Sequence, residues 1–301
     1  MVGSCPICGS GRLTPSVRTA RLEVVRCRVC GHRLATHLAQ PTATLDYHDQ
    51  YDQGGFLASL ASTRQRQAAV IINMIRGRVR EPDALLDFGA GRGWFLDACR
   101  EAGLRSLAGA DTSELALRSL AERQFAAIAL SPTITDYASV FQKLPFRPRI
   151  LTMLDVVEHF SPDQLNEVLG SVLRGLRPEL ELVVIKVPDA GGLFYRGARL
   201  LARAGIAGPI EQLYQVGTDP PHFSYFTHGS MRRLLESLGL TVLEVRGDRD
   251  FEPASLGQRA KALVGMPAVG RVAGSTAAGL ADLTRWHDAA IYLATPQLRL
   301  S

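Results

Sequence analysis

Leu85–Phe88, residues 105–110 and Arg149–Leu154 are short, largely apolar runs that end in polar or glycine-rich turns, as buried strands do. Leu180–Val187 is nearly all apolar, which suits a central parallel strand. Between these runs the apolar residues follow helical spacing. Helices are predicted over 93–103, from a Ser113 cap through Arg123, and over Pro162–Leu176 with Ser161 as cap. Another is predicted over 56–78, with Ile71, Ile72, Met74 and Ile75 apolar and arginines elsewhere. The third strand is placed only within 125–135. This alternation predicts an α/β domain over a parallel sheet.

The pattern then breaks. Residues 189–227 form a long stretch rich in glycine, arginine and aromatics, and such interruptions are usually lids or substrate elements. A helix over Ser230–Gly239 and a strand over 240–246 follow, then Gly/Ala-rich helices over 253–286 and a strand over 289–294. Ahead of the core, residues 36–55 carry the polar, turn-rich Tyr47-His-Asp-Gln-Tyr51 and read as a linker. The expected division is 1–40, a small metal-binding domain, and 41–301, the α/β domain.

Composition narrows the classes. Hydrophobic residues make up 46% and charged residues 21%, as in globular proteins. No apolar run is long enough for a transmembrane helix and no leader pattern is present, so a cytoplasmic location is expected. The net charge of +5 is carried almost wholly by arginine; it is compatible with anionic partners but does not demand nucleic acid. In the 191–215 segment Arg196, Arg199 and Arg203 recur at helical spacing among apolar residues. Two readings stay open: a solvated helix face, or a surface for an anionic or lipid-linked acceptor with peripheral membrane contact.

Four of the five cysteines form two pairs, Cys5-Pro-Ile-Cys8-Gly and Cys27-Arg-Val-Cys30-Gly, separated by eighteen residues. Two residues between thiolates let one tight turn present both to a tetrahedral ion. This is a zinc-ribbon pattern with Leu22–Arg26 as a strand leading into the second pair. Four protein thiolates leave no open coordination position, so the expected Zn2+ is structural. Cys99, on a predicted helix, is expected to be buried and apolar in character.

The strand at 85–88 leads into Gly89-Ala-Gly91-Arg-Gly93-Trp94. Asp87 stands two residues ahead of the loop, and Asp111 twenty residues beyond Gly91, where a carboxylate reaches ribose hydroxyls. A dinucleotide fingerprint needs its third glycine where Trp94 stands, and no Lys-Ser/Thr follows to make a phosphate-binding loop. This arrangement resembles the first motif of class I S-adenosylmethionine-dependent methyltransferases. The resemblance implies a Rossmann-like sheet closed by an antiparallel hairpin, assigned here to 240–246 and 289–294. It also implies cofactor contacts from Asp87, Gly89, Gly91, Gly93, Asp111 and the adjoining Thr112.

Downstream, Asp155-Val-Val-Glu158-His159 and Pro221-His222-Phe-Ser-Tyr-Phe resemble stretches in methyltransferases of small molecules and sugars. Ribbon and core together resemble zinc-ribbon methyltransferases of sugar and natural-product pathways, where tyrosines ahead of the core cover the cofactor, as Tyr51 would. Strand ends are where open α/β sheets bind ligands. His159 is therefore the first candidate base for a hydroxyl acceptor, Glu158 its orienting partner and His222 the second candidate. Capping or packing roles compete for each. Asp155 is assigned to the cofactor or its amino group, and Asp136 is considered for the adenine amine. The leading expectation is O-methylation of a sugar, glycoside or natural product. A zinc-ribbon ribosomal RNA methyltransferase is the alternative; a non-enzymatic cofactor-binding module is the third reading.

Overall fold

The computed structural model describes residues 3–40, 56–79, 84–131, 136–249 and 283–297. Three strands open the chain: β1 (Leu13–Arg18), β2 (Leu22–Cys27) and β3 (Arg33–Leu38). Helix α1 (Phe56–Ile75) precedes the alternating core of β4 (Ala84–Phe88), α2 (Trp94–Glu101), β5 (Ser106–Asp111), α3 (Glu114–Glu122), β6 (Ala126–Ala129), α4 (Tyr137–Phe141) and β7 (Ile150–Leu154). A single 3-10 turn, Val157–His159, leads to α5 (Gln164–Leu176) and β8 (Leu182–Pro188). The chain continues through α6 (Leu193–Arg203), α7 (Gly208–Leu213), β9 (Ser224–Tyr225), α8 (His228–Ser237), β10 (Leu240–Asp248) and β11 (Ala289–Pro296).

Seven strands form one sheet in the order β10-β11-β8-β7-β4-β5-β6. β4 to β8 are parallel, while β11 runs antiparallel to both neighbours. The predicted closing hairpin is therefore present, and the third strand resolves to Ala126–Ala129. Most of the predicted 253–286 helical insertion lies outside the described residues. Alternate residues of each strand feed two cores. Leu86, Phe88, Val183 and Ile185 pack under α5 and α8, while Leu85, Leu182 and Val184 pack against α1 and α2. Cys99 is buried in the second core, as its apolar setting requires.

The chain order reverses between β4 and β7, which leaves a crevice beyond their carboxyl ends. Ser113 caps α3 by accepting the Ala116 amide, as expected from the sequence. Thr227 and Ser230 form a reciprocal box at the start of α8.

The cysteine-bearing segment is not a free appendage. β1, β2 and β3 form a second sheet whose fourth strand is β9, from the 189–227 interruption. Leu34 pairs with Ser224 and Arg33 with Tyr225. Cys5, Ile7 and Cys27 share the first core with Met231 and Leu234. The Asn166 amide also donates to the Pro6 carbonyl at 2.6 Å. The interruption itself holds α6 and α7; Tyr195 of α6, Ile210 of α7 and Tyr214 just beyond it pack on Val17, Leu22 and Val24.

Candidate active site

The four cysteine sulfurs converge. Cys5 Sγ and Cys30 Sγ lie 3.6 Å apart, as do Cys8 Sγ and Cys27 Sγ, and all four fall within 4.8 Å of one another. Disulfide sulfurs would sit about 2.0 Å apart. Four thiolates on a tetrahedral ion at about 2.3 Å would be about 3.8 Å apart, so the donor set fits zinc.

The glycine loop is shaped by close approach. Gly89 has φ +79°, and a Cβ there would meet Val156 Cγ2 at 2.3 Å, because the turns after β4 and β7 touch at the crevice. Gly93 has φ +81° and abuts Leu120 and Phe125. Its place is therefore helix packing, and it is not among the residues lining the cavity. Asp111 accepts the Gly91 amide at 2.8 Å and the Ser113 amide at 2.9 Å, tying loop to strand end. Asp87 is buried, and the Thr152 hydroxyl donates to it at 2.6 Å. Burial pushes the Asp87 carboxyl up to about 7, against that hydrogen bond, and the Asp111 charge adds to the rise.

Asp87, Gly89, Gly91, Asp111 and Thr112 line one cavity of about 1010 Å³, together with Trp94, Tyr137, Asp155 and His159. Leu38 and Ala39, at the end of the cysteine-bearing sheet, line it too, as do Pro221 and Phe223. Tyr51 lies outside the described residues. The Asp136 carboxylate caps α4 by accepting the Ala138 amide, and the adjoining Tyr137 lines the cavity.

Glu158, His159 and His222 come together although sixty residues of chain separate them. Their ligand atoms lie within 4.8 Å of one another, and the two imidazoles meet edge to face at 4.6 Å. Only His159 of the three lines the cavity; Glu158 and His222 stand behind it. The Pro221 carbonyl, 2.9 Å from His159 Nδ1, accepts that nitrogen's proton, which leaves Nε2 as the basic atom. Burial holds the imidazole down to about 4, although the Pro221 and Pro220 carbonyls oppose the shift. An unperturbed histidine titrates at about 6.5. The burial of His159, invisible in the motif, accounts for the difference.

One wall residue escaped the sequence reading. Lys186, on central strand β8, is 2% exposed and bonds both oxygens of Asp155, at 2.6 and 2.7 Å. Asp155 holds φ +59°, an uncommon conformation for a residue with a side chain. Strained residues of this kind collect at functional sites. The available signal was a lone lysine in an otherwise apolar strand, in a chain with only three lysines.

Comparison with known proteins follows the same lines. A solved S-adenosylmethionine-dependent methyltransferase from Archaeoglobus fulgidus superposes with a TM-score of 0.52 at 19% identity, covering 83% of this chain and all of the other. A chain of the Haloferax volcanii complex between the Trm112 methyltransferase activator and a methyltransferase gives 0.51 at 14% identity, covering 85% of this chain and all of its own. The mycolic acid cyclopropane synthase CmaA1 gives 0.50 at 14% identity, covering 77% and 85%. At these identities the likeness speaks for the fold. No curated protein matches the chain significantly. The sequence profile described as a methyltransferase domain matches residues 60–245, more than half the chain. The chain belongs to that family and is an S-adenosylmethionine-dependent methyltransferase.

Proposed function

We propose that the enzyme methylates a hydroxyl of a small-molecule acceptor, a sugar, glycoside or natural product, with His159 accepting the hydroxyl proton. The observation that carries this reading is the cavity. Binding pockets usually hold about 300–1,000 Å³, so one of about 1010 Å³ has room for cofactor and acceptor side by side. Its wall joins the glycine loop to His159.

S-adenosylmethionine supplies a methyl on a sulfonium whose departure leaves a neutral thioether, so no acid is needed at the leaving group. The protein's task is to align the acceptor oxygen, exclude water and take one proton. Gly89 and Gly91 bring backbone close to the cofactor, Asp111 and Thr112 hold its ribose side, and Asp87 and Asp155 supply carboxylates near its cationic portion. Gly93 sets the start of α2. Tyr51 covers the cofactor. Glu158 and His222 hold the His159 ring against the Pro221 carbonyl. Cys5, Cys8, Cys27 and Cys30 hold one zinc ion that keeps Leu38 and Ala39 in the cavity wall. A site of four reduced thiolates suits the cytoplasm.

Methyl transfer from labelled cofactor to a panel of free sugars, glycosides and phenolic aglycones tests the reading. Activity on one of these, lost in His159→Ala with cofactor binding intact, is expected. Methylation of ribosomal RNA in place of every small molecule would overturn it. A second reading is favoured by the clustering of Glu158, His159 and His222: the three hold a divalent ion that polarises the acceptor oxygen. Activity that needs added Mn2+ or Co2+ while the four-cysteine zinc stays bound would select it over proton transfer to His159.

A further inference from the structure

Helix α6 is apolar on two sides. Its inner side, Tyr195 and Ala198, is buried on the cysteine-bearing sheet. Its outer side carries Leu200, 67% exposed, and Leu201, 40% exposed, and the turn that follows carries Ile206, 52% exposed. A Cβ at Gly197 or Gly205 would meet nothing within 4 Å, so the surface is open there. Residues 193–210 hold three arginines and no acid. Arg196 and Arg203 are exposed beside the leucines. The Arg196 guanidinium lies 4.6 Å from the Trp286 ring centroid, which places an indole at the edge of the patch. Arg33 stacks on Tyr195 from the other side. Burial and the charges of Arg33, Arg203 and Arg196 push the Arg199 guanidinium down from its ordinary value, so like charges are gathered here against their mutual repulsion.

We propose that the outer face of α6 and its following turn, with Arg196, Leu200, Leu201, Arg203 and Ile206, docks the enzyme on an anionic lipid surface. The charge pattern selects this occupant. A second copy meeting the patch across a twofold axis would set arginine against arginine. A nucleic acid would satisfy the arginines but leave exposed leucines at the centre unrewarded. An anionic bilayer rewards both, since apolar side chains enter the headgroup boundary while guanidiniums meet phosphates. Among the described residues no helix is long and apolar enough to cross a membrane, so the contact is peripheral. The docking face belongs to the 189–227 segment that also supplies Pro221 and Phe223 to the cavity.

The test is cosedimentation of the full chain with vesicles. Vesicles of equal parts phosphatidylglycerol and phosphatidylcholine should pellet the protein, vesicles of phosphatidylcholine alone should not, and added salt should release it. Each arginine near such a surface contributes about fivefold in partitioning, so Arg196→Gln with Arg203→Gln should weaken binding roughly twenty-five-fold. Leu200→Ser with Ile206→Ser should weaken it as well. These positions are exposed, and unchanged thermal melting and S-adenosylhomocysteine affinity would establish that both variants are folded. Equal pelleting with neutral and anionic vesicles, or variants that bind like the parent, would overturn the proposal. So would RNA binding that falls in the arginine variant, ignores the leucine variant and occurs without vesicle binding. A dimer that dissociates in the leucine variant, again without vesicle binding, would assign the face to a second copy and overturn it too.

Discussion

Around the glycine loop the cavity wall comes from one stretch of chain: Asp87, Gly89, Gly91 and Trp94 around the end of β4, with Gly91 held by Asp111 at the end of β5. Around His159 the wall is side chains drawn from distant parts of the chain: Leu38 and Ala39, Lys186, then Pro221 and Phe223. The first wall is local in sequence and rests on two neighbouring, largely buried strands, β4 and β5. The second exists only once the cysteine-bearing sheet, β8 and β9 have met. Cofactor binding should therefore be robust to changes that destroy acceptor binding, and the reverse should hold rarely.

The largest effect expected is loss of zinc. Structural zinc supplies about 10–16 kcal/mol to small zinc-dependent domains, far more than three short strands can gain by packing alone. Chelation, or Cys8→Ser with Cys30→Ser, should abolish methyl transfer while S-adenosylhomocysteine affinity, read by calorimetry, stays within a few-fold. Loss of both together would break the contrast between the walls. Metal analysis of the untreated protein should find about one equivalent of zinc.

His159→Ala should lower turnover on the order of a hundred- to ten-thousand-fold, again with cofactor affinity unchanged. At saturating cofactor the parent rate should stay level as pH falls from 8 to about 5. A base held down to about 4 remains neutral over that range, and the rate should drop only as pH falls through that value. A rate that falls through pH 6–7 in the parent but not in the variant would show an ordinary histidine there instead.

The Asp155–Lys186 pair allows a sharper comparison because its partners differ in exposure. Asp155→Ala withdraws a two-oxygen partner from a lysine 2% exposed and should destabilise the fold by about 3 kcal/mol. Lys186→Met leaves a carboxylate whose side chain is 45% exposed and able to turn to water, so the loss should be about 1 kcal/mol or less. Chemical denaturation of the two variants would measure both; equal losses would mean that the exposed partner is held as rigidly as the buried one.

The smallest effect concerns the cofactor wall. Asp87 is half protonated near pH 7, and an arriving sulfonium and ammonium favour its ionised form. Affinity should be full well above pH 7 and decline by up to about tenfold per unit below it. Asp87→Asn should flatten that dependence.

The difference between the walls also explains what the sequence could tell. The β4 strand, the glycine loop and Asp111 lie within thirty residues, and their spacing is dictated by one strand-turn-helix unit, so they were legible. The four cysteines were legible because metal geometry fixes their spacing. Meeting of His159 with His222 was not, because nothing local determines which turn of a long interruption lies over a strand end. The same holds for β9, only two residues long, whose identity comes from its partner β3. Lys186 stood out only as a lone lysine in an apolar strand, and its role was overlooked because its partner Asp155 lies thirty-one residues earlier. In sequence an aspartate before a helix looks the same whether it faces a ligand or caps the helix, as Asp136 does.

The pairing of Leu34 with Ser224 also orders events during synthesis. The first three strands and their four cysteines lie within forty residues of one another and so are synthesised together. Their fourth strand follows about 190 residues later, at a rate of roughly 5–20 residues per second. For on the order of ten seconds or more, β3 presents an unpaired edge to the rest of the nascent chain. Closing that edge is a contact of very high sequence separation, the slow kind in folding. Maturation of this enzyme should thus end, rather than begin, at its N-terminal sheet.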